Sequence, residues 1–332
     1  MAEIPSGFPH MRSVPYGLTL FHTHITHGSL FTSRADVAGD MAAAGVPPEL
    51  SAGFTSWHMP GHLGEIPKTA VMFERNATTD DRVAAVRQGA RFMAGLLGVP
   101  DAAAAEHFPG RTPAGAERFF DGVRDTFVRG EVQDYSGNGP THQAPVLNLA
   151  ARIGQQVVPD ESRRQAIGEL YTQWTATWLD QLKADGRDPQ ELARLAQHAG
   201  KLSTAMGALL VLGNEGHPAL AQLGAMGGME EAANPFAGVR RRIHTYTTAL
   251  VMQHGGKVGL REAASLRRQT EADLYREGVK GLDRRQAGVF DTVAWFAIKA
   301  PWVDRAGDGF AWPLRRVSAR HLETAVKGTW PR

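Results

Sequence analysis

Cysteine is absent from this chain of 332 residues. That excludes a disulfide scaffold, a thiolate nucleophile, a Cys-ligated zinc finger and an iron–sulfur cluster. Long apolar runs are missing as well, since no stretch approaches the roughly 18 uncharged apolar residues of a membrane-spanning helix. The opening residues, MAEIPSGFPHMRSVPYG, have neither the basic start nor the apolar core of a secretory signal. A soluble, cytoplasmic protein without a membrane span is therefore the expectation. Named catalytic signatures are missing too. There is no GxxxxGK[ST] phosphate loop, no GxSxG nucleophile elbow and no HExxH pair.

What is present suits a packed globular protein: 42% of residues are hydrophobic and 21% charged, with 37 Gly, 19 Pro and 13 His. The net charge of +2 is too mild to point to nucleic acid. It is unevenly spread. Residues 1–158 carry 12 Lys/Arg against 15 Asp/Glu, a net −3, and residues 159–332 carry 24 against 19, a net +5. A positive second half suits a phosphate-rich, anionic partner, but solvated helix faces are the plainer account.

The first 140 residues read as a loop-rich, His-rich region and residues 141–332 as a helical region, with one continuous domain as the alternative. Ser33 to Gly45 reads as a helix capped by Ser33. A second opens at Thr79-Asp80-Asp81-Arg82, with Val83, Val86, Ala90, Met93 and Leu97 on one face, and Gly98 and Pro100 as its stop. Phe119, Phe120, Val123 and Phe127 mark another over 114–129. Pro159-Asp160-Glu161 starts a long helix through Ile167, Tyr171, Trp174 and Trp178. Asp188-Pro189-Gln190-Glu191 has the capping-box arrangement and starts the next, whose end, MGALLVLG, belongs in the core. Further helices are expected over 235–254, 259–277 and 290–300. Gly228-Met-Glu-Glu-Ala-Ala and Gly259-Leu-Arg-Glu-Ala-Ala read as two similar helix starts. No Asn-Gly or Asp-Gly turn joins two alternating runs. The expected fold is mainly α, a helical bundle-like core with a loop-rich N-terminal region.

Histidine is the residue that points to chemistry. Eight of the 13 fall within residues 1–142: His10, His22, His24, His27, His58, His62, His107 and His142. Without thiolates, a metal site here would use imidazole and carboxylate, which suits zinc, iron or manganese. His22 and His24 share a face if extended, and His24 and His27 share one if helical. His58 and His62 flank Pro60-Gly61, a bend that would turn both rings inward. With these five as metal ligands and Asp134 or Glu65 as carboxylate ligand or base, the expected function is a metal-dependent hydrolase. The metal would lower the pKa of bound water toward neutrality for attack on a phosphoester or amide. Small-molecule or anionic substrates are the expected partners. A homo-oligomer is left open. A helical haem or non-haem metal oxygenase, and a non-enzymatic structural or protein-binding subunit, are the alternatives.

Four segments resemble known families or motifs. Phe21-His22-x-x-x-Thr26, and Gln133-Asp134-Tyr135-Ser136 followed by His142, resemble zinc-dependent phospholipase C-like helical proteins. That pattern carries a His three residues before the Gln, where this chain has Gly130. Glu215-Gly-His217-Pro218, with Arg241 and Thr245 downstream, is similar to helical haem oxygenases of the rubber-oxygenase type. Their proximal His falls where this chain has Leu274-Tyr275-Arg276, so a haem there would need a tyrosinate. Thr79-Asp80-Asp81 is similar to the aspartate-rich magnesium motifs of prenyl-transfer chemistry. It lacks their third carboxylate, and a helix N-cap accounts for it.

Overall fold

A computed structural model describes residues 35–48, 78–107, 113–132, 143–184, 188–213, 218–233, 246–255 and 272–283, with single positions at 257, 262, 270 and 287. Among these residues there is no strand. The mainly α expectation holds. No described helix is long and apolar enough to cross a membrane.

Helix α1 covers residues 35–44 and ends at Gly45, whose φ is 79°. Next come α2 (Thr79–Phe92), a π-helix (Met93–Gly98) and α3 (Val99–His107). Thr78 is the N-cap of α2, one residue before the expected start. It forms a reciprocal capping box with Asp81. The expected stop at Gly98 and Pro100 does not occur. The N–H of Val99 bonds back to Ala94 instead, and this wide turn shifts the ladder by one residue just before Pro100. Pro100 then lies in the first turn of α3, where a missing N–H is tolerated. The chain stays helical through a proline that reads as a terminator.

Helices α4 (Pro113–Arg129), α5 (Gln143–Gln156), α6 (Glu161–Lys183) and α7 (Pro189–Leu212) form the main bundle. Helix α4 ends at Gly130 with φ 75°, a conformation that side-chain-bearing residues rarely adopt. Its carbonyl accepts from Gln155 Nε2 at 2.5 Å. This backbone requirement accounts for Gly130 standing where the phospholipase-like pattern has His. Asp160 caps α6 through the N–H of Arg163, and Asp188 caps α7 through the N–H groups of Gln190 and Glu191. Arg164, in the first turn of α6, donates to the carbonyls of Val128, Val158 and Pro159 at 2.7, 3.0 and 2.8 Å, and more distantly to that of Gly154. One guanidinium thereby serves the ends of α4 and α5 and the turn into α6.

The main core runs from Val37 and Met41 of α1 through Phe92, Leu96, Phe119, Phe120, Phe127, Ile153 and Ile167 to Trp174, Trp178, Met206 and Leu210. Met206 to Leu210 are buried, as the all-round apolar character of that stretch requires.

Helix α8 (Pro218–Ala233) lies against α7. Gly228 sits inside it, so its segment is not the helix start that its resemblance to Gly259-Leu-Arg-Glu-Ala-Ala suggests. A Cβ added at Gly200, Gly224 or Gly228 would overlap backbone or Thr204 of the facing helix. The two backbones touch because these residues lack side chains. Helix α9 (Tyr246–Gln253) and α10 (272–278) complete the described helices. Tyr275 is buried with Ala208, Leu220, Leu223, Met226 and Ala272 in a satellite core. This packing, rather than haem ligation, is the role visible for Tyr275. Residues 235–245 and 290–300, and most of 259–271, lie outside the described residues.

Candidate functional site

All five histidines expected as metal ligands, His22, His24, His27, His58 and His62, lie outside the described residues, as do Asp134 and Glu65. The chemistry that can be built is therefore that of the helical frame.

Its most concentrated region lies where α3, α4 and α6 meet. Tyr171, Trp174 and Trp178 recur on one face of α6 at steps of three and four. They close around Phe120 of α4, with ring centroids 6.4, 6.3 and 5.0 Å away, all edge to face. Tyr171 and Trp174 stack at 5.8 Å. Trp178 Nε1 donates to Asp101 Oδ1 at 2.5 Å, inside the protein. Each ring is buried against its neighbours, so this is a filled core rather than an open lumen.

One polar atom in it has no partner. The Tyr171 hydroxyl is fully buried and makes no hydrogen bond. Burial pushes its pKa well above the ordinary tyrosine value, and the nearby Asp101 carboxylate adds to the shift. Around the rim, Arg124 donates to Asp121 and Asp125 at 2.8 Å each and to Thr172 at 3.2 Å.

The second polar region joins α1, α2 and α5. Asp36 accepts from Arg87 at 2.7 and 3.0 Å. One turn further on, the buried Asp40 accepts from Arg91 at 2.5 and 3.0 Å. Both are two-pronged guanidinium–carboxylate contacts. Hydrogen bonding and charge from Asp36 raise the Arg87 pKa. Arg152 of α5 also reaches Asp40, at 3.4 Å, and Arg91 donates to Gln156 Oε1 at 2.8 Å. A third polar region is an open recess of about 690 Å³ at the α6–α7 turn, lined by Asp180, Lys183, Asp188, Glu191 and Arg194 among others. Its charged lining does not suit an apolar molecule.

Among the described residues no three His, Asp or Glu side chains are arranged to hold a metal ion. The reason is visible in their partners. Asp36, Asp40, Asp121 and Asp125 face guanidinium groups, and Asp101 faces an indole. Asp81, from the segment similar to magnesium motifs, accepts from the N–H and the hydroxyl of Thr78 at 2.7 and 2.8 Å. It serves a helix start.

No family model and no curated protein matches the sequence. Solved structures similar to it include the following two. A point variant of cucumene synthase superposes with a TM-score of 0.51 at 17% identity, covering 81% of this chain and 94% of that one. The SVS_A2 protein from ancestral sequence reconstruction gives a TM-score of 0.40 at 16% identity, covering 72% of this chain and 84% of that one. The likeness to cucumene synthase places the chain among terpene synthase-like all-α folds. It overturns the metal-dependent hydrolase expectation, because the helical frame is isoprenoid-cyclase-like. Histidine density suggested hydrolysis, but composition counts ligands without placing them. The oxygenase and structural-subunit alternatives gain nothing from this likeness. The likeness gives no support for zinc, iron or manganese.

Proposed function

We propose that this chain is an isoprenoid-cyclase-like protein whose substrate is a prenyl diphosphate. The observation that carries the reading is the shared fold, which extends over 94% of the cucumene synthase chain. The net charge of +5 over residues 159–332 is compatible with an anionic small molecule. A divalent cation is the cofactor class that accompanies this reading. The described residues do not fit one, since their inward-facing acids are engaged by arginine and tryptophan.

The test uses the full chain with magnesium and, separately, geranyl, farnesyl and geranylgeranyl diphosphate. Products are extracted into organic solvent and analysed by gas chromatography and mass spectrometry, and thermal stability is recorded with each substrate. The expected result is time-dependent release of a hydrocarbon or terpene alcohol beyond that of a boiled control. Neither product nor a thermal shift with any of the three would sink the reading.

A further inference from the structure

We propose that Arg152, together with Arg91 and Gln156, forms a binding site for a phosphate-type oxyanion on the face where α1, α2 and α5 meet. The argument starts from a mismatch in charge. Asp40 is a single buried carboxylate facing two guanidinium groups. Arg91 holds both of its oxygens, at 2.5 and 3.0 Å. Arg152 is left with one long contact to Asp40, at 3.4 Å. Arginine does not shed its proton in proteins, so among the described residues two positive charges share one carboxylate.

Hydrogen bonding shows the same imbalance. Arg152 Nε is buried and has no partner among the described residues, a rare condition for a buried donor and one that calls for a specific explanation. The side chain as a whole is 33% exposed, so a ligand can reach it from solvent. Gln156, one turn further along α5, is exposed and accepts from Arg91 through Oε1, which leaves its amide NH₂ to donate. The unengaged groups in this cluster are thus all donors. A water molecule would satisfy some of them and leave the charge. An oxyanion docked on the exposed part of the Arg152 side chain and on the Gln156 amide answers the charge, and donors spread over several side chains suit a phosphate-type group better than a two-oxygen carboxylate. The neighbouring Arg87 has a carboxylate of its own in Asp36 and serves as the internal control.

The site is defined by inorganic oxyanion binding, so it stands or falls independently of isoprenoid turnover. The test is a thermal melt of the full chain in EDTA with sodium phosphate, sodium pyrophosphate or sodium chloride at equal ionic strength. The expected result is a rise of about 2–4 °C over chloride with at least one of the two oxyanions. A response to phosphate identifies a single-phosphoryl site, and a response to pyrophosphate alone identifies a diphosphate site. Arg152→Gln is expected to remove the rise and Arg87→Gln to keep it. Should Arg152→Gln fail to fold, Arg152→Lys keeps the charge without the fork and is expected to lose most of the rise. No rise in the wild-type chain overturns the proposal, and so does an undiminished rise in the Arg152 variant that folds.

Discussion

Helices α4 and α6 meet through rings, whereas α7 and α8 meet through bare backbone. In the first region Phe120 is enclosed by Tyr171, Trp174 and Trp178, and shape is set by large side chains in fixed orientations. In the second, Gly200, Gly224 and Gly228 let main chains approach until no Cβ would fit. The ring-packed region has volume to lose. The glycine-packed region has none to gain. Their responses to substitution should therefore be opposite in kind.

The largest effect is expected from Phe120→Ala, which empties the centre of the ring cluster. It should cost about 3–5 kcal/mol in a denaturant melt, and a loss below about 1 kcal/mol would mean that the rings collapse to fill the space. Gly200→Ala adds one methyl group and should still cost about 1–3 kcal/mol, because backbone rather than a flexible side chain must move. A neutral result there would show that α7 and α8 are not held so closely.

Tyr171→Phe removes a buried hydroxyl that has no partner. It should stabilise the chain by about 1 kcal/mol. It should also alter alkaline behaviour. The folded-state pKa of Tyr171 is raised, so its neutral form is favoured by folding. That contribution is in place below the ordinary value of 10.0 and is lost as pH rises beyond it. The wild-type chain should lose stability above that pH more steeply than Tyr171→Phe, as melts at stepped alkaline pH would reveal. The smallest effect sharpens the comparison most. Gly227 lies beside Gly228, and a Cβ there meets nothing. Gly227→Ala should stabilise by about 0.5–1 kcal/mol, opposite in sign to the same change one residue later.

The same contrast decides what was legible in the sequence. Tyr171, Trp174 and Trp178 repeat at helical spacing, and Asp160 and Asp188 mark helix starts, so α6 and α7 could be read directly. Helix α8 was hidden because Gly224, Gly227 and Gly228 signal a break unless a facing helix demands small residues, and that demand comes from Gly200, far along the chain. Pro100 misled for a similar reason, since the π-helix before it is a backbone adjustment with no residue signature. Asp81 shows the limit at the level of sites. Its neighbourhood is similar to a magnesium motif, yet its Oδ2 is taken up by the N–H and hydroxyl of Thr78. Arg152 and Asp40 were invisible as a pair, because 112 positions separate them.

Arg164 has a consequence for the order of folding. Its carbonyl partners come from the end of α4, the end of α5 and the turn into α6, so its bonds can close only after those three have come together. Such a contact is expected to form after the transition state. It should then act as a brake on opening: Arg164→Met should speed unfolding and leave the refolding rate nearly unchanged in stopped-flow measurements. An equal loss in the refolding limb would place the meeting of the three segments early instead. With the unfolding rate alone changed, persistence of the fold over time, as distinct from its depth at equilibrium, would be governed in part by one side chain at the start of α6.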